Sequence, residues 1–384
     1  MAKILMYGGS GIISSQIADL AIRCGHAVTM VNRGKRKQFI HPKAQCILAD
    51  MRGEPIETLK LKLHNDYDTI IDFLSYTVHE LQRNMELAKG HCSQYIFISS
   101  ATVYTPKEGR YKESDPTGNC EWSYANEKAA CEKFLIANAE QFGFYYTIIR
   151  PYVTYGKTRI PLQFAPLEYY TIIHRMKFGK PVPVYEKETA CTLTTSKDFA
   201  VAAVGLIQNE AARGEIFHIT GAYETTWNKA LQIEAESFGV SCDMIPIPES
   251  VFRSRRFSRG LNVAEVIGDK SRDMLFDNSK IKNVVPSFQG KTELKTELRE
   301  IVSYFSSALE SRSVNQAWEG RVDRMLAQSG MLNADQKRKL CYCRSDGGKK
   351  TEMLVYFLNR YTVTYYLYEI CEKAHAKLKR VLNR

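Results

Sequence analysis

The strongest indication of the fold is the segment Gly8-Gly9-Ser10-Gly11-Ile12-Ile13-Ser14. It follows the short apolar run Ile4–Tyr7 and leads into Ile12–Cys24, where apolar residues recur at helical spacing. Gly8 permits a tight turn, and Gly11 lets backbone N–H groups approach a phosphate at the helix N-terminus. Ser14 stands where a third glycine would serve close helix–strand packing, and a small side chain is tolerated there. The strand–turn–helix context predicts that a dinucleotide cofactor binds at Gly8, Ser10, Gly11, Ile12 and Ile13.

The first 150 residues alternate apolar runs with helical stretches. The runs lie at 4–7, 26–31, 46–49, 69–73, 95–98 and 146–149. Fully apolar strands are buried on both faces, so the pattern predicts an α/β fold with a doubly wound parallel sheet of the Rossmann type. We expect a dinucleotide-binding Rossmann domain over 1–156 and a smaller mixed substrate-binding domain over 157–312, some of whose segments return to the Rossmann core. Residues 313–384 are predicted to form a helical, basic extension that includes one helix over Lys350–Leu382.

The end of the second strand bears on the choice of cofactor. An acidic residue there would bond the ribose 2′-hydroxyl of NAD. This chain instead has Asn32-Arg33-Gly34-Lys35-Arg36-Lys37, with four cations and no carboxylate. Arg33, Lys35 and Arg36 suit a 2′-phosphate by charge and geometry, and Asn32 would not repel it. We therefore expect NADP(H) to be favoured over NAD(H); the alternative is a basic surface loop in which Asn32 bonds the ribose of NAD.

Other strand ends supply further candidate cofactor contacts, because ligands of such sheets bind outside the carboxyl ends of the strands. These candidates are Asp50 and Met51 after the third strand, Phe73, Leu74 and Ser75 after the fourth, and Ser99 after the fifth.

A candidate catalytic group follows in the same part of the chain. Tyr124 and Lys128 are four residues apart on a predicted helix and so share a face. A lysine ammonium near a phenol favours the phenolate, which makes a tyrosine a usable acid/base nearer neutral pH. Ser100, at the end of the fifth strand, can donate a hydrogen bond to the substrate oxygen that Tyr124 protonates, and Thr102 is a second hydroxyl in reach.

In this order and spacing, the glycine turn, Ser100, Tyr124 and Lys128 resemble the extended or atypical short-chain dehydrogenases/reductases of the NAD(P)-dependent sugar-nucleotide epimerase/dehydratase superfamily. The resemblance covers about residues 1–310 and includes Ser99–Tyr104 and Ile149–Gly156. It implies that Tyr124 is the acid/base and that Lys128 tunes it and anchors the cofactor ribose. It also implies that Pro151, Tyr152 and Val153 border the nicotinamide.

The chain departs from this family where a nucleotide diphosphate is usually clamped. Cys191 stands where many members have an arginine seven residues before Asp198. Arginines at 253, 255, 256 and 259 either replace this clamp or form a solvated loop. We expect reduction of a keto group of a sugar nucleotide or similar polyol. The alternatives are an epimerase or dehydratase that recycles its cofactor, and a non-catalytic RNA- or partner-binding protein on the same fold.

Charge and cysteine usage bear on partners and location. Residues 331–384 carry 12 Lys/Arg and 5 Asp/Glu, whereas the whole chain has a net charge of +11. Asn32-Arg33-Gly34 and the stretch from Asp269 to Lys280 also resemble a subgroup that contains chloroplast stem-loop-binding proteins. We nevertheless expect no nucleic-acid partner, because residues 1–330 carry a net charge of only +4. We expect a homo-oligomer. The tail carries a stripe of apolar residues at helical spacing, which we expect to pack on the rest of the chain or on a second subunit; the alternative is that this stripe docks on a membrane surface. Scattered cysteines indicate the cytoplasm, and no histidine or cysteine spacing indicates a metal.

Overall fold

The computed structural model describes residues 1–119, 121–307, 309–349 and 351–382, with side chains through residue 371 and at Lys373. The strands are β1 Lys3–Tyr7, β2 Ala27–Asn32, β3 Gln45–Leu48, β4 Thr69–Asp72, β5 Gln94–Ile98, β6 Tyr145–Pro151, β7 Thr154–Tyr155, β8 Val182–Tyr185, β9 Ala190–Thr195, β10 Glu215–Ile219, β11 Tyr223–Thr226 and β12 Met244–Ile247.

The α-helices are α1 Ile12–Arg23, α2 Ile56–Lys62, α3 Val78–Ala88, α4 Ser123–Asn138, α5 Tyr170–Lys177, α6 Ser196–Gly205, α7 Trp227–Ser237, α8 Glu249–Arg253, α9 Arg255–Ser258, α10 Ser279–Val284, α11 Leu294–Ser307, α12 Gln316–Ser329, α13 Ala334–Arg338, α14 Thr351–Arg360 and α15 Thr362–Leu382. No helix in the described ranges is long and apolar enough to cross a membrane.

The main sheet confirms the predicted fold class. In the described chain its seven strands run in the order β3-β2-β1-β4-β5-β6-β10, and the pairings are parallel. The order reverses between β1 and β4, which opens a crevice at their carboxyl ends. In register, Tyr7 lies opposite Val31 of β2 and Asp72 of β4, so the carboxyl ends of the three strands are level.

Alternating strand residues build a core on each face of this sheet. Ile4 and Met6 pack in the cluster that contains Ile17 of α1 and Phe199 of α6. Leu5 and Tyr7 belong to the opposite cluster, which contains Leu81 and Met85 of α3 and Cys131 and Leu135 of α4. Burial on both faces explains why these strands read as continuous apolar runs.

The chain divides into two compact units. The first comprises Met1–Pro161, Ala190–Thr225 and Arg272–Glu297, and it contains the main sheet. The second comprises Leu162–Thr189, Thr226–Ser271 and Leu298–Arg384. Within the second unit β8 and β12 form a small parallel sheet, and α12–α15 form a helical C-terminal region.

Buried ion pairs fix this helical region within the second unit. Arg175 of α5 lies 2.9 Å from Glu319 and 2.8 Å from Asp323, both on α12, and Lys180 lies 2.6 Å from each carboxylate. Tyr356 of α14 donates to Asp323 at 2.6 Å. Two cations thus balance two anions in a buried cluster that joins α5, α12 and α14.

The predicted continuous helix over Lys350–Leu382 is instead two helices. α14 ends at Arg360 and α15 begins at Thr362. The Thr364 hydroxyl lies 3.1 Å from the Phe357 carbonyl and 3.0 Å from the Tyr361 carbonyl, so it donates to carbonyls at the break. A threonine that bonds the backbone in this way competes with regular helix hydrogen bonding.

Candidate active site

The glycine turn lies at the carboxyl end of β1 and opens α1. Gly8 adopts a φ of +84°, which favours glycine, and an added Cβ would also lie 3.0 Å from the Leu74 side chain. A Cβ on Gly9 would lie 2.7 Å from Met30 of β2. A Cβ on Gly11 would meet only the Ser14 hydroxyl, at 3.3 Å, so the backbone before α1 can be approached closely.

Ser14 is buried and takes part in the turn through its hydroxyl, which accepts the Gly11 N–H at 2.9 Å. The first turn of α1 carries no acidic residue, so the positive end of the helix dipole is available to an anion. Ser10, Ile12 and Ile13 are half-buried at this helix start.

The basic segment after β2 is solvent-facing. Asn32 accepts the Gly34 N–H at 2.9 Å and donates to the Cys46 sulfur at 3.2 Å, so its side chain stabilises the turn. Arg33, Lys35 and Arg36 are exposed and form no salt bridge with any residue that the structure describes.

Asp50 follows β3 on the side of this basic segment. Its carboxylate accepts the Arg52 N–H at 3.1 Å. Backbone N–H groups of Arg52 and Gly53, followed by the charges of Arg33 and Arg52, hold the pKa of Asp50 below its ordinary value. The carboxylate is therefore ionised at neutral pH beside the Arg33 charge.

A buried aspartate organises the end of β4. Asp72 accepts the backbone N–H groups of Leu74 at 2.8 Å and Ser75 at 3.1 Å. It also accepts the Ser75 hydroxyl, the Asn84 amide at 3.1 Å and the Tyr95 hydroxyl at 2.7 Å. Three of these five donors belong to Leu74 and Ser75, so Asp72 fixes the predicted cofactor segment Phe73–Ser75.

A small cavity lies beside this segment. It has a volume of about 170 Å³, and its lining includes Met51 and Leu74, two of the predicted cofactor residues, together with Arg52 and Asn84. Arg52 closes one side, since it donates to the Leu74 carbonyl at 2.8 Å and pairs with Glu80 at 2.8 Å.

Lys128 of α4 is buried between the ends of β4 and β5. Its ammonium donates to the Ser75 carbonyl at 2.7 Å and to the Ile98 carbonyl at 2.8 Å. Burial lowers the pKa of Lys128 to about 8, although nearby carboxylates, Asp72 first among them, oppose the shift. The ammonium is therefore held by two carbonyls in a desolvated position, with the Tyr76 ring 4.8 Å away.

Tyr124 lies one helical turn before Lys128 on α4 and is half-buried. Its ring is flanked by aromatic neighbours, with the Trp122 centroid at 4.8 Å and the Tyr76 centroid at 6.0 Å. Tyr76 therefore contacts both members of the predicted pair, and the aromatic wall restricts the phenol's orientation.

The predicted hydroxyl pair follows β5. Ser100 and Thr102 are buried and hydrogen bonded to each other at 2.9 Å. Asn119 donates to the Thr102 carbonyl at 3.3 Å, and its own side-chain oxygen accepts the Glu121 and Trp122 N–H groups before α4. Asn119 thereby connects the Ser100–Thr102 turn to the start of the helix that carries Tyr124.

A buried salt bridge lies behind α4, and the sequence does not predict it. Glu132, one turn after Lys128, accepts the Ser99 hydroxyl at 2.5 Å and forms a two-point pair with Arg150 of β6 at 2.9 and 2.5 Å. Arg150 also donates to the Tyr104 hydroxyl at 2.6 Å, and Tyr104 bonds His218. The four-residue spacing of Tyr124, Lys128 and Glu132 places Glu132 on the same side of α4 and could have predicted its proximity to the site. No nearby sequence pattern predicts the roles of Asp72 and Arg150.

The segment Pro151–Val153 leaves β6 at the same edge of the sheet. Tyr152 is buried, with the Phe276 ring centroid 5.0 Å away, whereas Pro151 and Val153 are half-buried. Taken with the strand ends above, the glycine turn has the conformation, the close strand packing and the acid-free helix start that a dinucleotide pyrophosphate requires. These features define a dinucleotide-binding α/β protein with a tyrosine–lysine pair beside its crevice.

Comparison with known proteins assigns the chain to a family. A sequence model of the NAD dependent epimerase/dehydratase family matches residues 4–220, more than half of the chain. The chain therefore belongs to this family of enzymes, as the resemblance predicted.

Individual relatives span more than one activity. The chain is 28% identical over 274 residues to the chloroplast stem-loop binding protein of 41 kDa b of Arabidopsis thaliana, covering 67% of this chain and 68% of that protein. It is 24% identical over 303 residues to a dTDP-glucose 4,6-dehydratase of an Actinoplanes species, covering 70% and 91%. The fold is similar to that of the UDP-glucuronic acid 4-epimerase of Bacillus cereus, with a TM-score of 0.64, 16% identity, and coverage of 79% and 99%.

The residue at the usual clamp position and the arginines that could replace the clamp have different surroundings. Cys191 is fully buried. In the second unit Arg253 pairs with Glu249, and Arg259 lies 2.5 Å from Glu369, so both are engaged. Arg255 and Arg256 are exposed on α9.

Proposed function

We propose that this chain is a nicotinamide-dinucleotide-dependent enzyme that transfers a hydride at an alcohol or ketone carbon of a nucleotide sugar or similar polyol. The observation that carries the proposal is Lys128, buried at the ends of β4 and β5 one turn from Tyr124. Its support also includes the Ser100–Thr102 hydroxyl pair and the membership of the epimerase/dehydratase family.

The side chains divide the work as follows. A bound nicotinamide dinucleotide supplies or accepts the hydride. When a ketone is reduced, the Tyr124 phenol gives its proton to the carbonyl oxygen as the hydride reaches the carbon; oxidation reverses both transfers. The Lys128 ammonium stabilises the phenolate by charge. Ser100 donates a hydrogen bond to the same substrate oxygen, and Thr102 orients the Ser100 hydroxyl.

The cations after β2 support NADP(H) as the preferred cofactor. Arg33, Lys35 and Arg36 are exposed and free of salt bridges within the described residues, so they are available to a 2′-phosphate. A preference for NADP(H) favours net reduction of a keto group. The names of the relatives favour the alternative, an epimerase or dehydratase that returns the hydride to its substrate.

Cofactor retention separates these two reactions. The purified protein is denatured, and the released small molecules are identified by mass spectrometry. An epimerase or dehydratase keeps its cofactor through purification because the cofactor is recycled. A reductase is purified empty and takes up NADPH reversibly and NADH poorly. Tight uptake of NAD and weak uptake of NADP would contradict the cofactor proposal.

Tyr124→Phe tests the catalytic assignment. General acid–base catalysis contributes about 10²–10⁴-fold, so turnover of a nucleotide sugar falls by about this factor while cofactor affinity is unchanged. Tyr145→Phe, at the amino end of β6 and away from the crevice, serves as the matched control and keeps full activity. Full activity of Tyr124→Phe would overturn the assignment.

RNA binding is the second candidate, favoured by the similarity to the chloroplast stem-loop binding protein. Retention of a stem-loop RNA is measured at several salt concentrations with the wild type and Tyr124→Phe. Salt-dependent retention by both proteins, without cofactor uptake, would favour the RNA candidate over the enzyme. The homo-oligomer and the cytoplasmic location stay predictions.

A further inference from the structure

Helices α14 and α15 expose a concentration of large apolar side chains. Met353, Leu354 and Phe357 on α14 and Val363, Leu367 and Ile370 on α15 are between 39% and 72% exposed. Their spacing of three and four residues places each set on one side of its helix. We call these six residues the tail face.

The opposite sides of the same helices are anchored within the second unit. Tyr356, Asn359 and Tyr365 are buried. Asn359 accepts the Arg321 side chain at 2.8 Å, and the guanidinium of Arg324 lies 4.2 Å from the Tyr365 ring centroid. The buried sides of α14 and α15 already pack these helices within the second unit. The tail face is therefore a separate apolar surface that is exposed on helices fixed by other contacts.

Positive charge continues from the tail face along the chain. Residues 373–384 contain five Lys/Arg and no Asp/Glu. The first of these cations, Lys373, pairs with Glu369 at 3.1 Å. The backbone of α15 extends to Leu382, so the cations at 373, 377, 379 and 380 belong to the helix that bears Val363, Leu367 and Ile370. The side chains from 374 onward lie outside the described residues, and only their charge and their place in the sequence enter the argument.

We propose that the tail face and the basic end of α15 dock on an anionic lipid bilayer surface, with the helix in the plane of the interface. An exposed apolar and aromatic stripe followed by lysines and arginines has the chemistry of an interfacial helix: the apolar side chains enter the acyl boundary, and the cations contact anionic headgroups. This proposal is independent of the enzymatic activity.

Other occupants match the surface less well. A symmetric contact between two copies would cover the apolar side chains, but it would bring this patch only against itself and so would offer no separate anionic surface to the cations. An RNA phosphate backbone would neutralise the cations and leave six apolar side chains in water. An anionic bilayer satisfies both the charge and the apolar area.

Vesicle flotation of the full-length chain tests the proposal. Vesicles of phosphatidylcholine alone are compared with vesicles that also contain phosphatidylglycerol. The wild type floats with the anionic vesicles only, and added salt weakens the association. Replacing Lys377, Lys379 and Arg380 with Gln lowers the affinity on the order of a hundredfold, from about 1 kcal/mol per cation.

A second variant isolates the apolar contribution. Val363→Ser, Leu367→Ser and Ile370→Ser together abolish flotation. Leu167→Ser, which changes an 84% exposed leucine elsewhere in the second unit, leaves flotation intact. Circular dichroism and the unfolding transition establish that each variant is folded.

Three results would overturn the proposal. One is a wild type that floats with neither vesicle. Another is serine variants that float normally. The third is evidence for another occupant of the tail face. A molecular mass in solution that is lower for the serine variants than for the wild type would identify a second copy, and RNA retention that the serine variants lose would identify a nucleic acid.

Discussion

The buried ammonium of Lys128 makes a pH-dependent contribution to stability that can be calculated from its surroundings. Burial lowers its pKa from 10.5 to about 8 in the folded chain. Below pH 8 the lysine is charged in both the folded and the unfolded states, and burying the charge costs about 3 kcal/mol, since one pKa unit corresponds to about 1.4 kcal/mol. Between the two pKa values only the unfolded state holds the proton, so this cost disappears as pH rises.

Lys128→Met removes the charge and the two hydrogen bonds to the Ser75 and Ile98 carbonyls. The lost hydrogen bonds affect stability to the same extent at each pH, whereas the charge term does not. The free energy of unfolding of the variant relative to the wild type therefore falls by about 2 kcal/mol between about pH 7 and about pH 9.5. Urea denaturation of the cofactor-free proteins at both pH values measures this change.

Lys133→Met is the matched control, because Lys133 is exposed on the same helix. Other titrating groups are common to all three proteins and cancel in the comparison. A difference between Lys128→Met and the wild type that is the same at both pH values would refute the reasoning, since Lys128 would then keep its ordinary pKa in the folded chain.

Three further substitutions test the packing around the site and one isolated carboxyl. Gly9→Ala places a Cβ 2.7 Å from Met30 and lowers the free energy of unfolding by about 1–3 kcal/mol; thermal denaturation measures the loss, and the cost shrinks in a Met30→Ala background if the contact is responsible. Glu132→Gln leaves the buried Arg150 without its carboxylate and costs about 3–5 kcal/mol, whereas the exposed Glu127→Gln stays within about 0.5 kcal/mol. Glu234 on α7 is fully buried with neither carboxyl oxygen hydrogen bonded to a described residue, and burial raises its pKa. Because the folded-state pKa is raised, the stability that neutral Glu234 allows is fully present below the ordinary glutamate pKa and is lost as pH rises, so Glu234→Met raises the free energy of unfolding at pH 7 and raises it less near pH 4; equal denaturation curves for Glu234→Met and the wild type at pH 7 would contradict this.

Local chemistry explains why much of the fold could be predicted. Helix α3, one of the helical stretches between the apolar runs, begins at Val78 because Thr77 caps it and Glu80 completes a capping box within four residues of sequence. The apolar runs were identified as strands because a parallel sheet buries both faces of each strand. The glycine turn depends on residues that follow one another in the chain, and so does the helical spacing of Tyr124 and Lys128.

The fold class, the family and the candidate catalytic residues could therefore be predicted, since all of them rest on short-range patterns. The distant groups that support these residues are visible only in the folded chain. Asp72 holds Ser75 and thereby the carbonyl that binds Lys128, and Arg150 reaches Glu132 from another strand. The packing of α14 and α15 is likewise visible only in the folded chain, since Phe357 and Tyr365 are both aromatic in sequence, yet Tyr365 is buried and Phe357 is exposed. The physical reason is that a hydrogen bond or a buried contact between residues far apart in sequence exists only after the chain has packed, and the pattern of either segment alone does not specify its partner.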